Sequence, residues 1–160
     1  MSHVKDFGAV GDGKADDTAE LQHAINDGER RVVIPHGTYR ITKSLVIDLD
    51  KVGFTGISGD GGTAKIVMDG PGPALRMVGT HQGTADPPSF KPNVWQSQRM
   101  PTVSGLEIVG NHPEAIGIQL ERTMQATLTG VLIRKCRYGI HLITRNRNTL
   151  ISHCHVYEGA

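Results

Sequence analysis

Val103-Ser-Gly-Leu106-Glu-Ile108 decides the fold, because the chain returns to it twice. It recurs as Leu128-Thr-Gly-Val131-Leu-Ile133 and as Ile151-Ser-His-Cys154-His-Val156, at offsets of 25 and 23 residues. Apolar residues hold the first, fourth and sixth places each time, and Ser104, Thr129 and Ser152 hold the second. A further segment, Gly117-Ile118-Gln-Leu120, is matched by Gly139-Ile140-His-Leu142 at an offset of 22. Constant apolar positions with a drifting period are the mark of a solenoid, whose loops vary while its strands do not. One coil cannot bury its apolar face alone. Coils stacked about 4.8 Å apart pile like residues into ladders and hydrogen-bond to one another. The alignment predicts inward ladders Leu106–Val131–Cys154 and Ile108–Ile133–Val156. The fold class is therefore all-β, a parallel β-helix with coils of roughly 22–25 residues. A sandwich needs no such register.

Upstream, the same short strands continue. Val32-Val33-Ile34 ends at Pro35-His36-Gly37, and Tyr39, Ile41, Leu45 and Ile47 follow with mostly period-2 spacing. Ile66 to Met68 and Leu75 to Val78 have the same form. Residues 6–17 are a loop rich in glycine and aspartate. Its glycines at 8, 11 and 13 fit neither dinucleotide nor P-loop spacing. One short helix is predicted over Thr18 to Asn26, with Asp17 as N-cap, Glu20 completing a capping box and Gly28 as the stop. Its stripe of Leu21, Ala24 and Ile25 suits it to covering the open N-terminal end of the stack. Residues 80–101, with Pro87, Pro88 and Pro92, cannot form a central strand and read as an inserted loop. Trp95 inside it serves either as an anchor for the loop or as a platform for a sugar ring. The chain reads as one domain over 1–160. Loop and capping helix fill 1–30, and coils fill 31–160.

Composition narrows the function. Seventeen Lys and Arg against sixteen Asp and Glu leave a net charge of +1. No long-range field then favours nucleic acid or an anionic membrane. No stretch is long and apolar enough to span a bilayer, and Met1-Ser-His-Val-Lys5 lacks the apolar core of a signal peptide. The two cysteines, Cys136 and Cys154, have neither metal-ligand nor disulfide-framework spacing. No cofactor and no metal site is expected.

Val4-Lys-Asp-Phe-Gly-Ala-Val-Gly-Asp-Gly-Lys-Ala-Asp-Asp-Thr-Ala, with Val33-Ile-Pro-His-Gly-Thr-Tyr, resembles the N-terminal signature of the pectate lyase-like superfamily. The repeats from 103 to 158 resemble its coils. The resemblance implies a right-handed single-stranded β-helix with an N-terminal capping helix, and a carbohydrate-related protein, extracellular or periplasmic. It spans polysaccharide lyases, glycoside hydrolases, epimerases and phage tailspikes alike, so it fixes fold more than chemistry. The polygalacturonase-type Asn-Thr-Asp motif and the calcium-binding aspartates of classical pectate lyases are absent. The last coil has no cap, which predicts a chain continuing beyond Ala160 or self-association through that coil. The expected function is action on an acidic polysaccharide as lyase, hydrolase or epimerase. The alternative is a non-catalytic module for carbohydrate binding, adhesion or assembly, or an inactive fragment.

Within the repeats, His153, His155 and Tyr157 alternate and are expected on one outward face, as catalytic groups. Arg134 is expected beside Tyr157 on the preceding coil. Such a row suits β-elimination of a uronic acid, with arginine neutralising the carboxylate and His or Tyr moving protons. The alternative is a solvated polar face. His141 and Arg145, with nearby Arg147, are candidates for binding an anionic sugar chain, as is Trp95. Asp48 and Asp50 read as turn residues, or as a hydrolase pair.

Overall fold

The computed structural model describes residues 1–159 and is a right-handed parallel β-helix. A first partial turn supplies β1 (Ser2–His3) and β2 (Asp12–Asp16). The next coil supplies β3 (Arg31–Ile34), β4 (Gly37–Ile41) and β5 (Leu45–Asp48). Then come β6 (Gly56–Gly59), β7 (Ala64–Met68) and β8 (Gly72–Val78), followed by β9 (Thr102–Ser104), β10 (Leu106–Gly110) and β11 (Ala115–Glu121). The last described turns hold β12 (Thr127–Thr129), β13 (Leu132–Arg134), β14 (Tyr138–Ile143), β15 (Leu150–Ser152) and β16 (His155–Tyr157). Three parallel sheets result. Sheet A runs β1-β3-β6-β9-β12-β15, sheet B runs β2-β4-β7-β10-β13-β16, and sheet C runs β5-β8-β11-β14.

Alternation along these strands fills the interior with ladders. Val32, Ile57, Val103, Leu128 and Ile151 stack in sheet A. Tyr39, Ile66, Ile108, Ile133 and Val156 stack in sheet B, so the Ile108–Ile133–Val156 ladder forms. Leu45, Leu75, Ile118 and Ile140 stack in sheet C, next to Ile47, Met77, Leu120 and Leu142. Each fully buried side chain of this size contributes roughly 1.5–3 kcal/mol. Leu106 and Val131 are buried and Cys154 packs on the same core, but Val131 and Cys154 precede their strands instead of lying in them.

The helix α1 (Thr18–Asp27) buries Leu21, Ala24 and Ile25. With Val4 they close on Val32, Ile34 and Leu45 at the N-terminal end. The expected capping box is absent. Asp17 sits at φ −90°, ψ 11° and makes no side-chain cap bond to the helix, whereas a capping side chain needs an extended backbone there. Its carboxylate instead accepts from the Val10 and Gly11 amides at 2.8 and 2.9 Å, tying down the loop. A second helix, α2 (Leu49–Val52), is a single turn capped by Asp48, whose Oδ1 accepts from the Asp50 amide. That bond gives Asp48 a structural role.

Residues 79–101 leave the stack between β8 and β9. Both roots are hydrogen-bonded to the corner after β11: Gly79 N donates to Glu121 O, His81 N to Arg122 O and Met100 N to Met124 O. The excursion contains a 3-10 turn at Pro87–Ser89 and a π-helical turn at Val94–Gln98.

Candidate functional site

The passage from sheet A to sheet B fixes where the candidate histidines lie. Each bend uses one left-handed residue at the third place of the repeat: Gly105 at φ 60°, Gly130 at 61° and His153 at 54°. Glycine takes that conformation without steric cost, and histidine does not. His153 is therefore a corner residue, exposed and off the strand that carries His155 and Tyr157. This corrects the three-residue row. His155 and Tyr157 share one outward face, with ring centroids 6.3 Å apart. Arg134 stands in register with Tyr157. Its guanidinium is already engaged. It reaches Glu107 Oε1 at 3.2 Å and Glu158 Oε2 at 3.3 Å, while Lys65 also contacts Glu107 at 3.7 Å. Two cations and two carboxylates neutralise one another on this face.

Sheet C is arranged differently. Two consecutive residues of β14 turn inward. The place of Gly139 is filled from inside by Val156, and Ile140 continues the Ile118 ladder. Gly117 does the same one coil earlier, where a Cβ would stand 2.8 Å from Ile133 Cγ2. The residues flanking such a pair, i and i+3, then face outward together. That brings Tyr138 and His141 into a stack, with centroids 4.8 Å apart and planes inclined 30°. His141 continues an outward column of Arg76 and Gln119. Its Nδ1 and the Nε of Arg76 are covered and have no hydrogen-bond partner. Arg76 Nη2 donates to Glu121 Oε2 at 3.0 Å, and Arg122 shares Glu121 at 3.6 Å, so one carboxylate serves two arginines. Arg137 lies over the Tyr138 ring at 5.4 Å and pairs with Glu114. Tyr138 is a functional candidate that the strand pattern missed. The recurrence of Gly117 and Gly139 before the inward Ile118 and Ile140 is the signal that marks it.

The other candidates lie elsewhere. Arg145 is exposed at the corner after β14, with φ 60°. Trp95 sits in the excursion, tilted against Phe90 at 5.0 Å, and Phe90 meets His81 edge-on at 5.1 Å. Phe90, Val94 and Met124 form a satellite core beneath it, and Trp95 remains 39% exposed. Cys136 is buried in the core, and that burial pushes its thiol up. Among the described residues no helix is long and apolar enough to cross a membrane. None of their His, Cys, Asp and Glu side chains form a group of three or more placed to hold a metal ion.

Residues 1–86 match the family model described as rhamnogalacturonase A/epimerase, pectate lyase-like. Over 82 residues the chain is 34% identical to a probable glucan endo-1,3-beta-glucosidase of Arthroderma benhamiae, covering 43% of this chain and 9% of that protein. Over 44 residues it is 50% identical to mannuronan C5-epimerase AlgE3 of Azotobacter vinelandii, covering 25% of this chain and 2% of that protein. The chain thus spans a tenth or less of these curated relatives. Among solved structures, ORF18 of Geobacillus virus E2 superposes with a TM-score of 0.68 at 18% identity, covering 97% of this chain and 36% of that one. The surface protein and adhesin PfbA of Streptococcus pneumoniae gives 0.62 at 18% identity, with 96% and 40% covered. At such identities the likeness is one of fold.

Proposed function

The chain belongs to the rhamnogalacturonase A/epimerase, pectate lyase-like family, and from that premise we propose that it acts on an acidic polysaccharide through the outer face of sheet C. The reaction class is uronate chemistry, elimination or epimerisation. Both begin by removing the proton next to the sugar carboxylate. That step needs a cation to hold the carboxylate and a base to take the proton. Arg76 supplies the cation and His141 the base. Tyr138, stacked beside it, gives a proton to the departing glycosidic oxygen in elimination, while in epimerisation water from the open side reprotonates the opposite face of the sugar. The observation that carries this reading is the Tyr138–His141 stack continuing the Arg76–Gln119 column. Sheet B supports it less, because Arg134 is held by two carboxylates. Hydrolysis would need a free carboxylate pair, and Asp48 is committed to capping α2. Polymers of this class are met outside the cytoplasm, which fits an extracellular or periplasmic location.

A second reading, a carbohydrate-binding module, is favoured by the 46% exposure of Tyr138 on β14, at the edge of sheet C. One experiment separates the two. The chain is incubated with polymannuronate and polygalacturonate. Ultraviolet absorbance follows unsaturated products, and proton NMR in deuterium oxide follows exchange next to the carboxylate. Tyr138→Phe and His141→Ala should each lower turnover about 10²–10⁴-fold, with His155→Ala near wild type. Binding without turnover would leave the module reading. Loss with His155→Ala and not with His141→Ala would move the chemistry to sheet B.

A further inference from the structure

The outer face of sheet A is built unlike the other two. Its outward columns are Arg31–Gly56–Thr102–Thr127–Leu150 and Val33–Ser58–Ser104–Thr129–Ser152, and no carboxylate stands in either. The Thr129 and Ser152 hydroxyls satisfy each other at 2.7 Å. Nearer the N-terminal end, Arg31, Gly56, Ser58, Thr102 and Ser104 line an open groove of about 260 Å³. Its depth comes from Gly56, where a Cβ would meet Thr102 Oγ1 at 2.9 Å. An adjoining groove of about 360 Å³ adds Arg30, Phe54 and Arg99. Arg99 lies over the Phe54 ring at 4.6 Å, which fixes its guanidinium plane. The acid at this groove is Glu29, and it accepts from the Met1 ammonium group. Among the described residues no carboxylate lies within ion-pair distance of Arg30, Arg31 or Arg99, whereas Arg40, Arg76, Arg122, Arg134 and Arg137 are all paired.

We propose that these two grooves form a second glycan site, which holds an anionic saccharide by Arg31 and Arg99 and by the hydroxyls of Ser58, Thr102 and Ser104. Guanidinium groups grip carboxylate or sulfate oxygens through paired N–H donors. Serine and threonine hydroxyls both donate to and accept from sugar hydroxyls. Sheet A lies on a different side of the coil from sheet C, so the site stands whether or not sheet C is catalytic.

The test is direct binding, with no turnover read. Isothermal titration is run with uronate oligosaccharides, with sulfated oligosaccharides of equal length and with a neutral glucan. Uronate or sulfated chains should bind and the glucan should not. The anion that binds more tightly names the natural group. Arg31→Gln and Arg99→Gln should each weaken binding about tenfold, the size of one lost charge-assisted hydrogen bond. Lys43→Gln, at the exposed corner after β4, should leave it unchanged. Unaltered melting temperatures confirm that the variants fold. No binding of either anionic chain would overturn the site. So would equal affinity in the Arg31→Gln/Arg99→Gln double variant, or equal weakening by Lys43→Gln, which would show unspecific charge attraction.

Discussion

At the N-terminal end, Leu21, Ala24 and Ile25 of α1 lie over the first coils and are 4% exposed or less. In the last described coil, Leu142, Ile151 and Val156 continue the same interior ladders and are 44–49% exposed. Ile133 and Val156 are neighbours in one ladder, yet one is fully buried and the other half in water. The contrast separates two jobs that a globular core merges. Stacking satisfies the flanks of every coil, since each backbone pairs with the coil above and below. It does nothing for the outer side of the first coil. There a different element must supply the apolar cover, and α1 does so from a narrow three-residue stripe.

Truncating the same ladder in two places should have the largest effect. Ile133→Ala should cost about 2–5 kcal/mol, and Val156→Ala, half-exposed but packed in the place of Gly139, about 1 kcal/mol, both read from denaturant melts. Equal losses would mean that the last coil is as well buried as the middle ones. Next in size are the corners. Gly130→Ala should cost about 1–2 kcal/mol from backbone conformation alone, because the nearest atom to its new Cβ is 3.9 Å away. His153→Gly should do the reverse and stabilise by about 0.5–1 kcal/mol. Smallest is the acid response, which belongs to the covered end. Hydrogen bonds from the Thr18 and Thr42 hydroxyls hold the Asp16 carboxyl below the usual carboxylate range. As pH falls, the unfolded chain takes up that proton first, so the contribution is present at neutral pH and is lost as pH drops through the folded value. Asp16→Asn should flatten the fall in melting temperature below about pH 4, and an unchanged slope would assign it to other groups.

The ladders were legible because burial imposes its period directly on residue type: Val103, Leu128 and Ile151 cannot be polar without cost. The corner was half legible. Gly105 and Gly130 announce a left-handed residue, but His153 adopts the same angle with nothing in its chemistry to say so. Residue type alone therefore leaves His153 in the strand. The helix was legible and its cap was not, because whether Asp17 turns to the helix or to the Val10 and Gly11 amides depends on where the loop returns in space. The Tyr138–His141 stack was hidden for a related reason. Residues three apart do not share a face of a regular strand. They do so here because Gly139 yields its place to Val156, a residue 17 positions away in sequence.

The excursion at 79–101 has a consequence for how such a molecule changes over time. Both of its roots are clamped to one corner of the following coil, and strands resume in register beyond it at Thr102. The closure penalty for a longer loop grows only logarithmically. The corner therefore works as a docking port on a rack. Segments of different length can be plugged in, exchanged or removed there while the rack keeps its pitch. New specificity can thus be acquired by swapping 82–98 as long as the replacement covers Met124 as Phe90 and Val94 do, and a protein engineer can use the same slot.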